Sequence, residues 1–72
     1  MFSDGTYVRL VLAPNTRKGT VTRQTDGRYL FHHDQRFDDK ITDFLVPEGD
    51  IEADRPPTDS EVTSINALIK QG

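Results

Sequence analysis

Cysteine and tryptophan are both absent from this chain of 72 residues. Without cysteine there is no disulfide framework, no thiol chemistry and no zinc ribbon or finger. A cytoplasmic setting is compatible with that lack and is the expectation here. Long hydrophobic runs are missing as well. The longest, Leu10–Ala13, falls far short of the ~20 residues a bilayer-spanning helix needs, so no membrane partner is expected. The N-terminal MFSDGTYVRL has no basic segment followed by an apolar one, which argues against a secretory leader. Apolar residues make up 33% of the chain and the mean hydropathy is −0.65. A chain this short buries only ~60% of its unfolded surface, so one domain of modest stability is expected.

The charge is uneven. Net charge is −3, with nine basic and twelve acidic side chains. Residues 1–36 hold six of the basic and three of the acidic ones, whereas residues 37–72 hold three basic and nine acidic. Such asymmetry marks either two partner surfaces or two halves that neutralise each other on one small fold.

The stretch that organises the chain is Arg17–His33, RKGTVTRQTDGRYLFHH. Thr20, Val21, Thr22, Tyr29 and Phe31 are β-branched or aromatic and suit a half-buried pleated surface. Asp26-Gly27 between the two arms is a strong turn signal. A two-residue loop would pair Val21 with His32. A three-residue loop, Thr25-Asp26-Gly27 with Gly27 left-handed, would pair Val21 with Phe31 and Arg23 with Tyr29. One residue of slip swaps the buried face. The second register gathers Val21, Tyr29 and Phe31 on one side and is favoured.

Before the hairpin, Thr6–Ala13 (TYVRLVLA) reads as a strand, with Val8, Leu10 and Leu12 on one face. Pro14-Asn15 closes it, and Asn15–Gly19 is a loop carrying Arg17 and Lys18. After the hairpin, residues 32–40 are polar around one isolated aromatic, Phe37, which either tucks under the sheet or is offered to a partner. Ile41–Val46 is the next strand, with Phe44 and Val46 toward the core. Pro47–Asp50 is a turn, and Ile51 restarts an apolar contact. Ala53–Pro57 is a break, because Pro56-Pro57 cannot continue a ladder. The period then changes. Thr58 and Glu61 stand at capping-box spacing, and Val62, Ile65, Leu68 and Ile69 recur at helical spacing. Asp59 and Glu61 in the first turn and Lys70 in the last suit the helix dipole. A helix this short is marginal alone, so its stripe must cover its own sheet, a second copy or another protein.

The fold class expected is therefore mainly β: a small barrel or bent antiparallel sheet of four to five strands with a C-terminal α-helix. The chain divides into a β domain over 1–52, a proline-containing linker over 53–57 and an amphipathic helix over 58–72. The succession YVRLVL, RKGTV, a glycine hairpin, GRYLF, ITDFLV and PEGDIE resembles the SH3-like small-barrel group, with its KOW and Tudor-like branches, across residues 5–52. The resemblance implies a module that binds nucleic acid or protein rather than an enzyme. The aromatic cluster used by peptide-binding SH3 and methyl-lysine-binding domains is not matched, and fold analogy carries little functional weight.

His32-His33-Asp34 suggests a metal site or acid–base work, but neighbours on a strand point to opposite faces and no further ligand stands at the right spacing. A polar strand end is the reading favoured. Asp38, Asp39 and Asp43, like Glu48 and Asp50, lack the glycine and alternation of a calcium loop and read as solvated loops. No catalytic, cofactor or metal residue is expected. Two binding surfaces remain. The acidic second half and the helix would dock on a protein through Phe37, Asp50, Glu52, Ile65, Leu68 and Ile69. This is the first expectation: an accessory or regulatory protein on a larger assembly, such as transcription or translation machinery. The alternative is nucleic-acid binding through Arg17, Lys18, Arg23, Arg28 and Tyr29, since cations neutralise phosphates and an exposed aromatic stacks on a base. The acidic pI of about 5.1 weighs against it, because the usual footprint is a basic domain.

Overall fold

The computed structural model describes Met1–Gly72. Five antiparallel strands form one curled half-barrel: β1 Tyr7–Leu10, β2 Lys18–Arg23, β3 Tyr29–His33, β4 Phe44–Val46 and β5 Ile51–Ala53. A single 3-10 turn, Glu48–Asp50, joins β4 to β5, and α1 spans Asp59–Gln71. The order across the sheet is β4-β3-β2-β1-β5. No helix is long and apolar enough to cross a membrane.

The hairpin takes the three-residue register. Val21 pairs with Phe31 and Arg23 with Tyr29, Gln24 N donates to Arg28 O at 2.8 Å, and Gly27 sits at φ +87°. An L side chain is strained there, whereas glycine is not. The register places Val21, Tyr29 and Phe31 beside Val8, Val46 and Ile51 in one buried cluster, with Phe2, Leu10 and Phe44 packed around it. Full burial of each such side chain stabilises by about 1.5–3 kcal/mol.

Gly19 is the other conformational keystone. A Cβ there would collide with the His32 carbonyl across the β2–β3 pair. Glycine inside a strand often marks such a close backbone approach.

Two strands are shorter than their sequence patterns. β1 ends at Leu10, where Ala13 N bonds back to Leu10 O at 3.2 Å and Arg17 N to Ala13 O at 3.0 Å. The turn swings Leu12 out of the expected core face, leaving it 93% exposed. β4 begins only at Phe44, although Phe44 and Val46 face inward as their alternation requires.

Phe37 is fully buried, outside the main cluster and edge-on to the His33 ring at 5.3 Å. It is therefore withdrawn from the expected docking residues: an isolated aromatic in a polar loop has been used to anchor that loop. The helix carries the full capping box, with Glu61 N donating to Thr58 Oγ1 and Thr58 N to Glu61 Oε1. Its first apolar residue, Val62, is buried. The segment before β4 holds the helix through polar groups. Asn66 accepts from Asp38 N at 2.9 Å and donates to Arg36 O at 3.2 Å.

Candidate docking surface

The two binding surfaces expected from sequence can be tested by where the fold puts each side chain. The cations come first. Arg17 pairs with Asp39, and Lys18 with Asp54 at 2.8 Å. Arg28 folds back on Asp26, its own turn residue, at 2.6 Å. The Arg23 guanidinium has no carboxylate ion pair and donates to Met1 Sδ, while its backbone N–H donates to Asp4 at 2.7 Å. Tyr29 is 1% exposed. Its hydroxyl donates to Glu48 at 2.9 Å and accepts from Phe2 N. Tyr29 is thus corrected from a stacking platform to a core residue, because the same alternation that places Val21 and Phe31 inside places it there too.

The pairs that hold Arg17 and Lys18 join the basic half of the sequence to the acidic half. Asp54 also meets Arg9 at 3.4 Å, and Arg9 meets Glu52 at 3.2 Å. Burial alone would raise the Asp54 carboxyl, but the Lys18 ammonium bonded to it holds it below the usual carboxylate range. Glu52, expected to face a partner, is occupied by Arg9.

The outer face of β1–β3 is polar. Tyr7, Thr20 and His32 stand in one cross-strand row, and with Asp34 and Asp43 they border a shallow cleft of about 460 Å³. Tyr7 donates to Asp34 at 2.7 Å, and Arg36 grips the same carboxylate through Nε and Nη2. Burial and the Asp34 charge push the Tyr7 phenol well up. Burial would raise Asp34 too, but Arg36 and Tyr7 outweigh it and hold that carboxyl at about 2. In the same cleft wall, His32 Nδ1 lies 2.7 Å from Asp43 and Nε2 lies 2.8 Å from the Thr22 hydroxyl. Hydroxyl, imidazole and carboxylate in line is the order used by nucleophilic hydrolases. That chemistry also needs donors aimed at a developing oxyanion, and the nearby Gln24 amide is engaged on the Thr22 carbonyl. The line ties Asp43, just ahead of β4, to β3 and β2.

His33 points the other way, as strand alternation requires. It closes β3 as the polar strand end expected, and it is buried there: it is 2% exposed, with Nε2 3.0 Å from Asp39. Its Nδ1 is buried without a partner. The two imidazoles do not converge, and no cluster of metal-ligating side chains forms.

Exposed apolar side chains are a second class of surface open to a partner. Leu12 is 93%, Val11 46% and Leu45 45% exposed. Leu10, Leu12, Phe44, Leu45 and Pro47 line a groove of about 170 Å³ along the seam where the half-barrel fails to close, with Asp50 at its rim. Asp50 is exposed and, alone among the acidic residues around β4, takes no ion pair or side-chain hydrogen bond. On α1, Ile65 and Ile69 are half-buried and Leu68 is 50% exposed, so the helical stripe is used mainly for packing on its own chain. Leu12, Leu45 and Pro47 escaped the sequence reading because two were assigned to strand faces and the third to a turn.

Comparison of the chain with protein-family models, curated proteins and solved structures returned no match.

Proposed function

We propose that the chain is a non-enzymatic binding module that docks on a protein partner, as an accessory or regulatory subunit of a larger assembly. The observation that carries this reading is the contrast between its two surfaces. Three of the four hairpin cations, Arg17, Lys18 and Arg28, are engaged by carboxylates of the same chain, while an apolar groove at the sheet seam is left uncovered. Contiguous exposed apolar surface on a small polar chain marks interaction sites. The SH3-like kinship belongs to the same proposal. Its support is the single sheet with β4 and β5 as outer strands, joined by a 3-10 turn. A cytoplasmic setting, compatible with a chain free of cysteine, is proposed with it.

The test is retention of a discrete protein by the immobilised full chain, measured across a salt series and after nuclease treatment. Retention that survives nuclease and high salt is expected, because apolar anchors respond weakly to screening. Retention that disappears with nuclease, or falls steeply with salt, would replace this reading with the nucleic-acid alternative.

A further inference from the structure

The seam groove lies beside a sheet edge with unused hydrogen-bonding groups, and together they specify what fits. Hydrogen-bonded pairs alternate along an antiparallel ladder. Gln24 N bonds to Arg28 O and Asp34 N to Lys18 O, which fixes the even-numbered residues of β3 toward β2. Its odd-numbered residues, Tyr29 and Phe31, therefore face β4, where they pair with Val46 and Phe44. Leu45, opposite Leu30, directs its N–H and C=O away from the sheet. On the other outer strand the same alternation turns Ile51 and Ala53 outward; Ile51 N donates to Glu48 O, and Ala53 does not border the seam groove. The outward edge position that adjoins the groove is Leu45 of β4.

We propose that β4 accepts an extended segment of a partner protein as an added strand, apolar at alternate positions and carrying a lysine or arginine that meets Asp50. This rests on the protein-docking reading above and names the partner's chemistry. An extended backbone can satisfy both outward groups of Leu45 at once, which is the basis of recognition by strand addition. Alternate side chains of such a segment reach the groove bordered by Leu10, Leu12 and Phe44. The unpaired Asp50 carboxylate at the rim selects a cation. Charge also decides against a second copy in this place. The segment 41–50 holds no lysine or arginine, so a second copy of β4 offers Asp50 no cation and brings a further Asp50 instead, and like charges across an interface disfavour association.

The probe is the peptide acetyl-KVTVTV-amide, titrated into the isotope-labelled full chain with amide NMR as the readout. A charge-reversed peptide with glutamate for lysine, and one N-methylated at alternate peptide bonds, serve as controls. Saturable shifts at Leu12, Phe44–Val46 and Asp50 are expected, with slowed exchange of the Leu45 amide. Leu45→Asp and, at a site too exposed to affect folding, Leu12→Ser should each weaken binding about tenfold. Asp50→Lys should reverse the preference between the lysine and glutamate peptides. Equal binding of the N-methylated peptide overturns strand addition, as does the absence of saturable shifts. Shifts confined to Ile65, Leu68 and Ile69 overturn this site while leaving the docking reading intact. Shifts at Leu45 that grow with protein concentration in the absence of peptide overturn the choice of partner in favour of a second copy. The docking reading fails separately, on the nuclease and salt series.

Discussion

At the scale of single residues, two glycines do different work, and substitutions separate them. Gly27 stands at φ +87° with open space around its missing Cβ. Gly27→Ala therefore meets backbone strain alone and should lower unfolding free energy by about 1 kcal/mol. Gly19 has ordinary φ but no room, because a Cβ there would strike the His32 carbonyl. Gly19→Ala should cost on the order of 3 kcal/mol, since backbone must move to admit the methyl group. Urea unfolding of both variants checks the ranking, and equal losses would contradict it. Only Gly27 was readable in advance: Asp-Gly between alternating arms announces a turn, whereas nothing in KGTV reports how closely two backbones will approach. Phe37 was ambiguous for a related reason. Local pattern says that an aromatic in a polar loop is unusual, but only the position of His33 says which way it turns. Asp34 supplies a pH prediction. Its carboxyl is held at about 2, against an ordinary 3.8, by Arg36 and Tyr7 despite partial burial. A depressed carboxyl stabilises the fold above its unfolded value, and that contribution is lost as pH falls from about 4 toward 2. Urea midpoints measured across that window should decline, and Asp34→Asn should flatten this part of the decline while lowering stability at neutral pH.

At the scale of elements, the helix is the part whose existence was plain and whose partner was not. Capping box, dipole-suited charges and 3.6-residue period all lie within residues 58–72, so α1 could be drawn from local signals. What it rests on is set by residues far away in the chain. Asn66 reaches the backbone of Arg36 and Asp38, Lys70 reaches Asp38 at 3.6 Å, and Arg36 donates to Pro57 O at 3.0 Å. No periodicity reveals such a latch, because asparagine in a helix reads as a surface residue until its acceptor and donor are located. Removing the Asn66 amide leaves Asp38 N and Arg36 O to water, and Asn66→Ala should cost about 1 kcal/mol. Thr58→Ala should cost a similar amount through the lost cap. The two differ in hydrogen exchange. Thr58→Ala should speed exchange mainly in the first helical turn, while Asn66→Ala should raise exchange along α1 and in residues 36–38 together. Identical exchange patterns would mean that the helix is not held by the Asn66 latch.

At the scale of the whole molecule, the charge asymmetry of the sequence becomes an internal neutralisation. Arg9, Arg17 and Lys18 of the first half meet Glu52, Asp54 and Asp39 of the second. Surface pairs like these contribute little to stability, but they decide which charges a partner can reach. The sequence reading could count the opposed charges and could not tell neutralisation from two separate surfaces, because strand order fixes which residues become neighbours. β5 lies beside β1, and that single adjacency delivers Glu52 and Asp54 to Arg9 and Lys18. A double variant, Asp39→Asn with Asp54→Asn, should therefore unmask Arg17 and Lys18. Fluorescence anisotropy with a labelled single strand at low salt should show no binding by the parent chain and weak, sequence-independent binding by the variant. The log–log salt slope should lie near −1.4, about 0.7 for each of two neutralised phosphates. Binding by the parent chain itself, with amide shifts at Thr16–Gly19 and Thr25–Tyr29, would show that intramolecular pairing does not silence these cations. It would return the basic hairpin to first place among the surfaces of this protein.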